Sequence, residues 1–199
     1  MNCPQCSSEI ILKSSLAALV SCHHCASSLL IEPTGLKLSD IESNVQSKSS
    51  LIAQGHDFMW GDQLFQPQGF VQLQYGEGYR KEWWVLDKQG NTYWLSEEDE
   101  NFFLLQDRSL DENVPPWITL QLNTQIQLLG KNWLVTEKQE YQYTGFQGQL
   151  PYLPNLTNAL SYTYLTGENA ETMMLIFEGE KIHCRQGYWL DPFEIEVSA

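Results

Sequence analysis

Cys3-Pro-Gln-Cys6 and Cys22-His-His-Cys25 are two Cys-x-x-Cys pairs with fifteen residues between them, the spacing of a four-thiolate zinc ribbon. Two residues between cysteines let both sulfurs of a tight turn face one ion, and a short hairpin brings the second turn opposite the first. Four sulfurs close a tetrahedron and leave no position for a substrate, so the expected zinc holds structure and performs no chemistry. A redox dithiol would sit in a βαβ unit, a pattern this chain lacks. A rubredoxin-type iron site and a disulfide frame are the other readings of the same spacing. His23 and His24 lie inside the second turn, but four thiolates make a histidine ligand unnecessary. Ser7 and Ala26 follow the second cysteine of each pair, where glycine often supplies a positive φ. Cys184 stands among β-type residues and reads as a small buried hydrophobe.

Little else in the chain suggests catalysis. There is no Gly-rich phosphate loop, no Gly-x-Ser-x-Gly elbow and no His-Glu-x-x-His helix. His56-Asp57 and His183-Cys184 are adjacent pairs, and neighbours on a strand point to opposite faces. Glu97-Glu-Asp-Glu100 could attract a cation or a polyamine, but it lacks the alternating ligands and glycine of a calcium loop and reads as a solvated hairpin end. Glu82 precedes Trp83 and Trp84, and a carboxyl held against indole has a raised pKa unless it is well paired. With Trp94 these three form the candidate binding group, since Trp and Tyr supply large rigid contact surfaces. Seven Trp and nine Tyr leave two readings open, an exposed aromatic groove or strands buried on both faces.

The elements that must position these residues are strands. In Phe70-Val-Gln-Leu-Gln-Tyr75 the apolar period is two, with Val71, Leu73 and Tyr75 on one face and Gln72 and Gln74 on the other. Glu82–Leu86 and Thr92–Leu95 flank an Asp87–Asn91 turn as a hairpin, and Asn101–Leu105 continues a meander. The pattern restarts after Pro115-Pro116 with Ile126–Leu129, Trp133–Glu137 and Tyr141–Thr144, then Met173–Phe177 and Lys181–Cys184. The expected fold is all-β: a zinc ribbon over 1–38, a polar, Ser-rich linker over 39–50, and a barrel or sandwich-like body over 51–199. The body divides into two linked SH3-like halves, 51–112 and 113–199.

The formal charge of −14 is concentrated after Ser50, where eight basic residues face twenty-one acidic ones. An acidic body repels phosphate, which argues against nucleic acid as a partner. No apolar run approaches the roughly 20 residues of a membrane span, and no signal peptide precedes Cys3. Metal-ready cysteines suit a reducing compartment, so the cytoplasm is the expected location.

Gly69-Phe-Val-Gln-Leu-Gln-Tyr-Gly-Glu-Gly78, Glu82-Trp83 and Tyr93-Trp-Leu-Ser-Glu97 together resemble the bacterial family known as domain of unknown function 4178. The likeness continues through Val114-Pro-Pro116, Gly130, Val135-Thr136, the Gly-x-Leu-Pro element at Gly148 to Pro151, and Tyr164-Leu-Thr-Gly167. Gln149 stands where the family pattern has an acidic residue. The resemblance implies an N-terminal ribbon and an accessory role beside envelope-stress or polyamine-type systems, with recruitment to a membrane-associated complex. The expected function is a non-enzymatic, zinc-binding adaptor with a protein partner. The alternative is a small-molecule binder or enzyme with a pocket around Glu82 and the tryptophans.

Overall fold

The computed structural model describes residues 1–43, 45–47, 49–154 and 160–198, so Asn44 and Lys48 of the expected linker lie outside the described residues. The fold is all-β. The strands are β1 (Leu19–Ser21), β2 (Ser28–Glu32), β3 (Gly35–Leu38), β4 (Phe58–Trp60), β5 (Gln63–Tyr75), β6 (Gly78–Asp87), β7 (Thr92–Glu98), β8 (Asn101–Arg108), β9 (Gln125–Leu128), β10 (Lys131–Leu150), β11 (Leu160–Thr166), β12 (Glu171–Glu178), β13 (Lys181–Leu190) and β14 (Ile195–Val197). No helix among the described residues is long and apolar enough to cross a membrane.

Two meanders, β5 to β8 and β10 to β13, are joined edge to edge. β8 pairs antiparallel with β13, and β5 pairs antiparallel with the second half of β10, while the first half of β10 pairs with β11. The eight strands therefore form one ring. Each meander opens with the same device, a short hairpin strand folded back on its long first strand: β4 on β5 and β9 on β10. The body is thus a duplicated topology, but its halves do not close separately as two SH3-like barrels. Their free edges satisfy each other's backbone hydrogen bonds, which removes the exposed edges that separate meanders would carry. Trp133–Glu137 and Tyr141–Thr144, expected as two strands, are parts of the single strand β10.

Large side chains on both faces of these strands have a direct cause, since both faces are covered. Phe65, Phe70, Trp83, Val85, Leu95 and Phe102 form a core outside the first meander, sealed by Ile52, Phe58 and Ile195. Trp133, Val135, Leu165, Met173, Leu175 and Cys184 form its counterpart on the second, sealed by Val114 and Leu128. Inside the ring lie Leu73, Leu105, Tyr141, Tyr162, Tyr164 and Met174. Gln72 was expected to face solvent and is instead fully buried. Its amide bonds the backbone of Gln46, accepting from the N–H at 2.6 Å and donating to the carbonyl at 3.0 Å.

The described residues of the polar segment 39–50 are therefore bonded to the body at several points. Ser43 Oγ donates to the carbonyl of Phe146 and accepts from its N–H, and Ser50 Oγ donates to Glu97. The N-terminal unit is joined to the body's sheet too. β1 pairs with the end of β10, Leu19 opposite Leu150 and Val20 opposite Gln149, while β2 and β3 continue outward.

Candidate functional site

Two sites can be built from these elements. The first sits on the N-terminal unit, where Cys22 and Cys25 occupy the turn between β1 and β2, and Cys3 and Cys6 the turn inside the Asn2–Glu9 bridge. The two turns are local copies. Ser7 N–H donates to the Cys3 carbonyl at 2.8 Å, and Ala26 N–H to the Cys22 carbonyl at 2.9 Å. Both residues adopt the left-handed conformation, φ 62° and 58°, the geometry that the missing glycines would have supplied.

The sulfurs converge. Cys3 and Cys25 lie 3.7 Å apart, Cys6 and Cys22 3.6 Å, and all four fall within 4.8 Å of one another. A tetrahedron of sulfurs at ~2.3 Å from a central ion has edges of ~3.8 Å, so the donor set fits one four-coordinate cation. Such an ion would cross-link the two turns and leave no open position. Cys25 is held down to about 6 by the Ser27 hydroxyl and backbone N–H, which favours the thiolate a metal needs. His23 and His24 are exposed and outside the set. Cys184 is buried in the outer core, and that burial pushes its thiol up to about 11, which keeps it protonated.

The second site is the inside of the ring. Arg185 on β13 donates from Nη1 to Glu82 Oε2 on β6 at 3.1 Å, and from Nε to Asp107 Oδ1 on β8 at 3.2 Å. Glu82 Oε1 accepts from Ser96 Oγ, 2.9 Å away, and that hydroxyl also lies 2.9 Å from the Tyr164 phenol of β11. β6 and β13 are not neighbours in the ring, so the Arg185–Glu82 bond crosses its interior, as does the Ser96–Tyr164 contact between β7 and β11. Glu82 is 1% exposed and Arg185 6%. Burial raises the Glu82 pKa, and Arg185, Arg80 and the Ser96 hydroxyl offset only part of that rise.

Toward the other end of the ring, Arg80 is 1% exposed and lies between aromatic faces, its guanidinium carbon 4.5 Å from the Tyr141 ring centre and 4.7 Å from that of Tyr164. Its Nη2 pairs with Glu98 and Glu137, and the single Tyr141 O–H lies within donating distance of either carboxylate, 3.2 Å and 3.1 Å away. Two buried arginines and the carboxylates of Glu82 and Glu98 therefore lie inside the ring, while Asp107 and Glu137 reach the arginines from more exposed positions. Glu98, read from sequence as part of a solvated hairpin end, is an interior partner, and Glu97 accepts a 2.8 Å bond from the Trp83 indole.

At the end occupied by Arg185 a cavity of about 700 Å³ opens between Val71, Leu73, Tyr162 and Ile176, with Glu82, Trp94 and Arg185 in its lining. Trp94 lies under Arg185, whose guanidinium carbon is 4.1 Å from the ring centre, and its indole N–H donates to Asp107. Of the residues the sequence singled out, Glu82 and Trp94 meet here. Trp84 shares their face but packs against Leu86, Trp94 and Ala17. Trp83 points the opposite way, into the outer core against Phe70. There is no aromatic groove at these tryptophans. Sequence reasoning passed over Arg80 and Arg185; their signal was an arginine in a strand register whose other members are buried. No family model matches the chain, and no curated protein or solved structure is detectably similar to it.

Proposed function

We propose that this protein is a non-enzymatic binding protein, stapled at its N-terminus by structural zinc, that holds a small organic molecule inside the ring. The observation that carries the reading is the cavity of about 700 Å³ whose polar lining includes the buried Glu82–Arg185 pair beside Trp94. Eight-stranded rings have room for one small ligand, and apolar walls with a few convergent polar groups are the usual composition of such a site. The cavity lining carries both carboxylates, Glu82, Asp107 and Glu178, and cations, Arg108, Lys181 and Arg185. The ligand that fits has an apolar body and a polar, hydrogen-bonding head. Glu82 and Arg185 are tied to each other, which leaves neither poised to move a proton and favours binding over catalysis. Mass spectrometry of the purified protein under native conditions tests this. A retained molecule that is absent from the Ile176→Trp variant, whose indole fills the cavity, supports the reading; equal retention by both proteins refutes it.

A second reading, an adaptor of the domain of unknown function 4178 type acting beside an envelope-stress or polyamine system in the cytoplasm, is favoured by one surface feature. Phe193 is 96% exposed at an open groove that also carries Glu77, Asp99 and Glu100, a composition suited to a basic protein segment. Affinity capture by the wild type but not by Phe193→Ser distinguishes it.

A further inference from the structure

The N-terminal unit does more than cap the sheet, because it holds the end of the strand from which part of the cavity wall continues. The loop between Cys6 and Cys22 makes the connection. Lys13 N–H donates to Gln149 Oε1 at 3.0 Å, and Gln149 Nε2 donates to the Ile11 carbonyl at 2.9 Å. Ala18 N–H donates to the Leu150 carbonyl at 2.8 Å, and Ser21 Oγ accepts from Gly148 N–H at 2.7 Å. Gln149 and Leu150 end β10, and the residues that follow them at once, Pro151 to Pro154, line the cavity. Tyr152 leans on Trp94 with ring centres 5.4 Å apart, and Ala17 packs on Trp94 and Trp84 from the loop side.

We infer that metal binding at the four cysteines and ligand binding in the ring are coupled equilibria, with Gln149–Pro154 as the shared element. The inference rests on the cavity reading given above. The loop is held at both ends by the cysteine turns. A unit of fewer than ~40 residues has too small a core to fix it without the cross-link. Loss of the metal frees the loop and removes the partners of Gln149 and Leu150. The wall from Pro151 to Pro154 then loses its anchor and Trp94 its cover. Linkage makes the effect reciprocal: an occupied cavity tightens the metal by the same factor as the metal tightens the ligand. The protein would hold its ligand where metal is available and its thiols are reduced, and release it where they are not.

Full-length protein, with zinc present or removed by a chelator, tests the coupling with two readouts. The first uses the metal alone and follows the indole N–H resonances of Trp94 and Trp133 by NMR. Trp133 is buried in the second outer core with its N–H on the Leu128 carbonyl, away from the loop. A shift confined to Trp94 on metal removal is expected. No shift at Trp94, or equal loss of both signals, overturns the coupling. The second uses N-phenyl-1-naphthylamine, a neutral aromatic probe with one N–H donor. Its affinity is expected to fall about tenfold on metal removal, and by much less in Gln149→Ala, which keeps all four cysteines. Probe binding that Ile176→Trp abolishes but that ignores the metal sinks the coupling alone. Probe binding that Ile176→Trp does not change sinks the cavity reading, and the Trp94 signal then still decides whether metal and wall are linked.

Discussion

Glu82 and Arg185 come from different halves of the chain and meet 3.1 Å apart inside the ring. Their contact spans the closure of two meanders, so it can form only when both are in place. Removing Arg185 leaves Glu82 buried without its ion-pair partner, and removing Glu82 leaves Arg185 only the exposed Asp107 carboxylate; breaking such a buried pair costs about 3–5 kcal/mol. Glu82→Leu and Arg185→Met should each lose stability of that order in urea unfolding. The double variant should recover most of it, because an apolar pair needs no desolvation. A double variant as unstable as the worse single would show that the surrounding Ser96 and Asp107 network, and not the pair, carries the energy.

The cysteine turns carry a correctable strain. Ser7 and Ala26 hold φ of 62° and 58°, a region that costs a residue with a Cβ about 1 kcal/mol relative to glycine. Ser7→Gly and Ala26→Gly are expected to raise metal affinity by about fivefold each, read by competition with a chromogenic chelator. A loss of affinity would mean that the side chains contribute contacts worth more than the strain.

The cysteine turns and most strands were legible in sequence because each is local. Cys-x-x-Cys pairs fix their own turns, and alternation in Phe70–Tyr75 fixes a strand without knowledge of its neighbours. What Gln72 touches depends on a segment some twenty-six residues away, and alternation alone assigned it to solvent. The ring was illegible for the same reason. Nothing in β8 or β13 says that they pair, since edge pairing is made by generic backbone groups. Glu82 was visible as an oddity beside Trp83 and Trp84. Its partner Arg185 was not, because a lone arginine in a strand looks like a solvated one until the strand across the ring is known.

Acid should probe the turn between β6 and β7. Burial works against the Asp87 carboxylate, but donors from the Asn91 side chain, the Asn91 N–H and the Gln89 N–H outweigh it and lower its pKa. A lowered carboxyl contributes stability above its unfolded value, near 4, and loses it as pH falls through the folded value. The wild type should exceed Asp87→Ala by about 2 kcal/mol at pH 7, and the gap should close progressively below about pH 4. A gap that stays constant to pH 2 would show that the lost contacts are not those of the charged form.

Gly69 and Gly148 face each other where β5 crosses β10, and the ring closes only because neither has a side chain there. A Cβ on Gly69 would stand 2.5 Å from the Gln147 carbonyl oxygen and from the Gln149 N and O, all backbone atoms that cannot rotate away. Gly148 also holds φ 82°, so its substitution adds backbone strain to a similar clash with the Gln68 carbonyl. Gly69→Ala is therefore expected to cost at least 3 kcal/mol, at the upper end of what overpacking costs, about 1–3 kcal/mol. Because Gln149 also anchors the loop between Cys6 and Cys22, the damage should reach the cysteine cluster, and a metal ion loaded there should leave the variant faster than it leaves the wild type. Gly187→Ala, with its Cβ 1.9 Å from the Leu104 carbonyl oxygen at the other seam, should destabilise the ring as severely. At equal fractions of folded protein it should leave metal release unchanged. Faster release from both variants would show that the metal site senses the stability of the whole ring and not the one strand it is bound to.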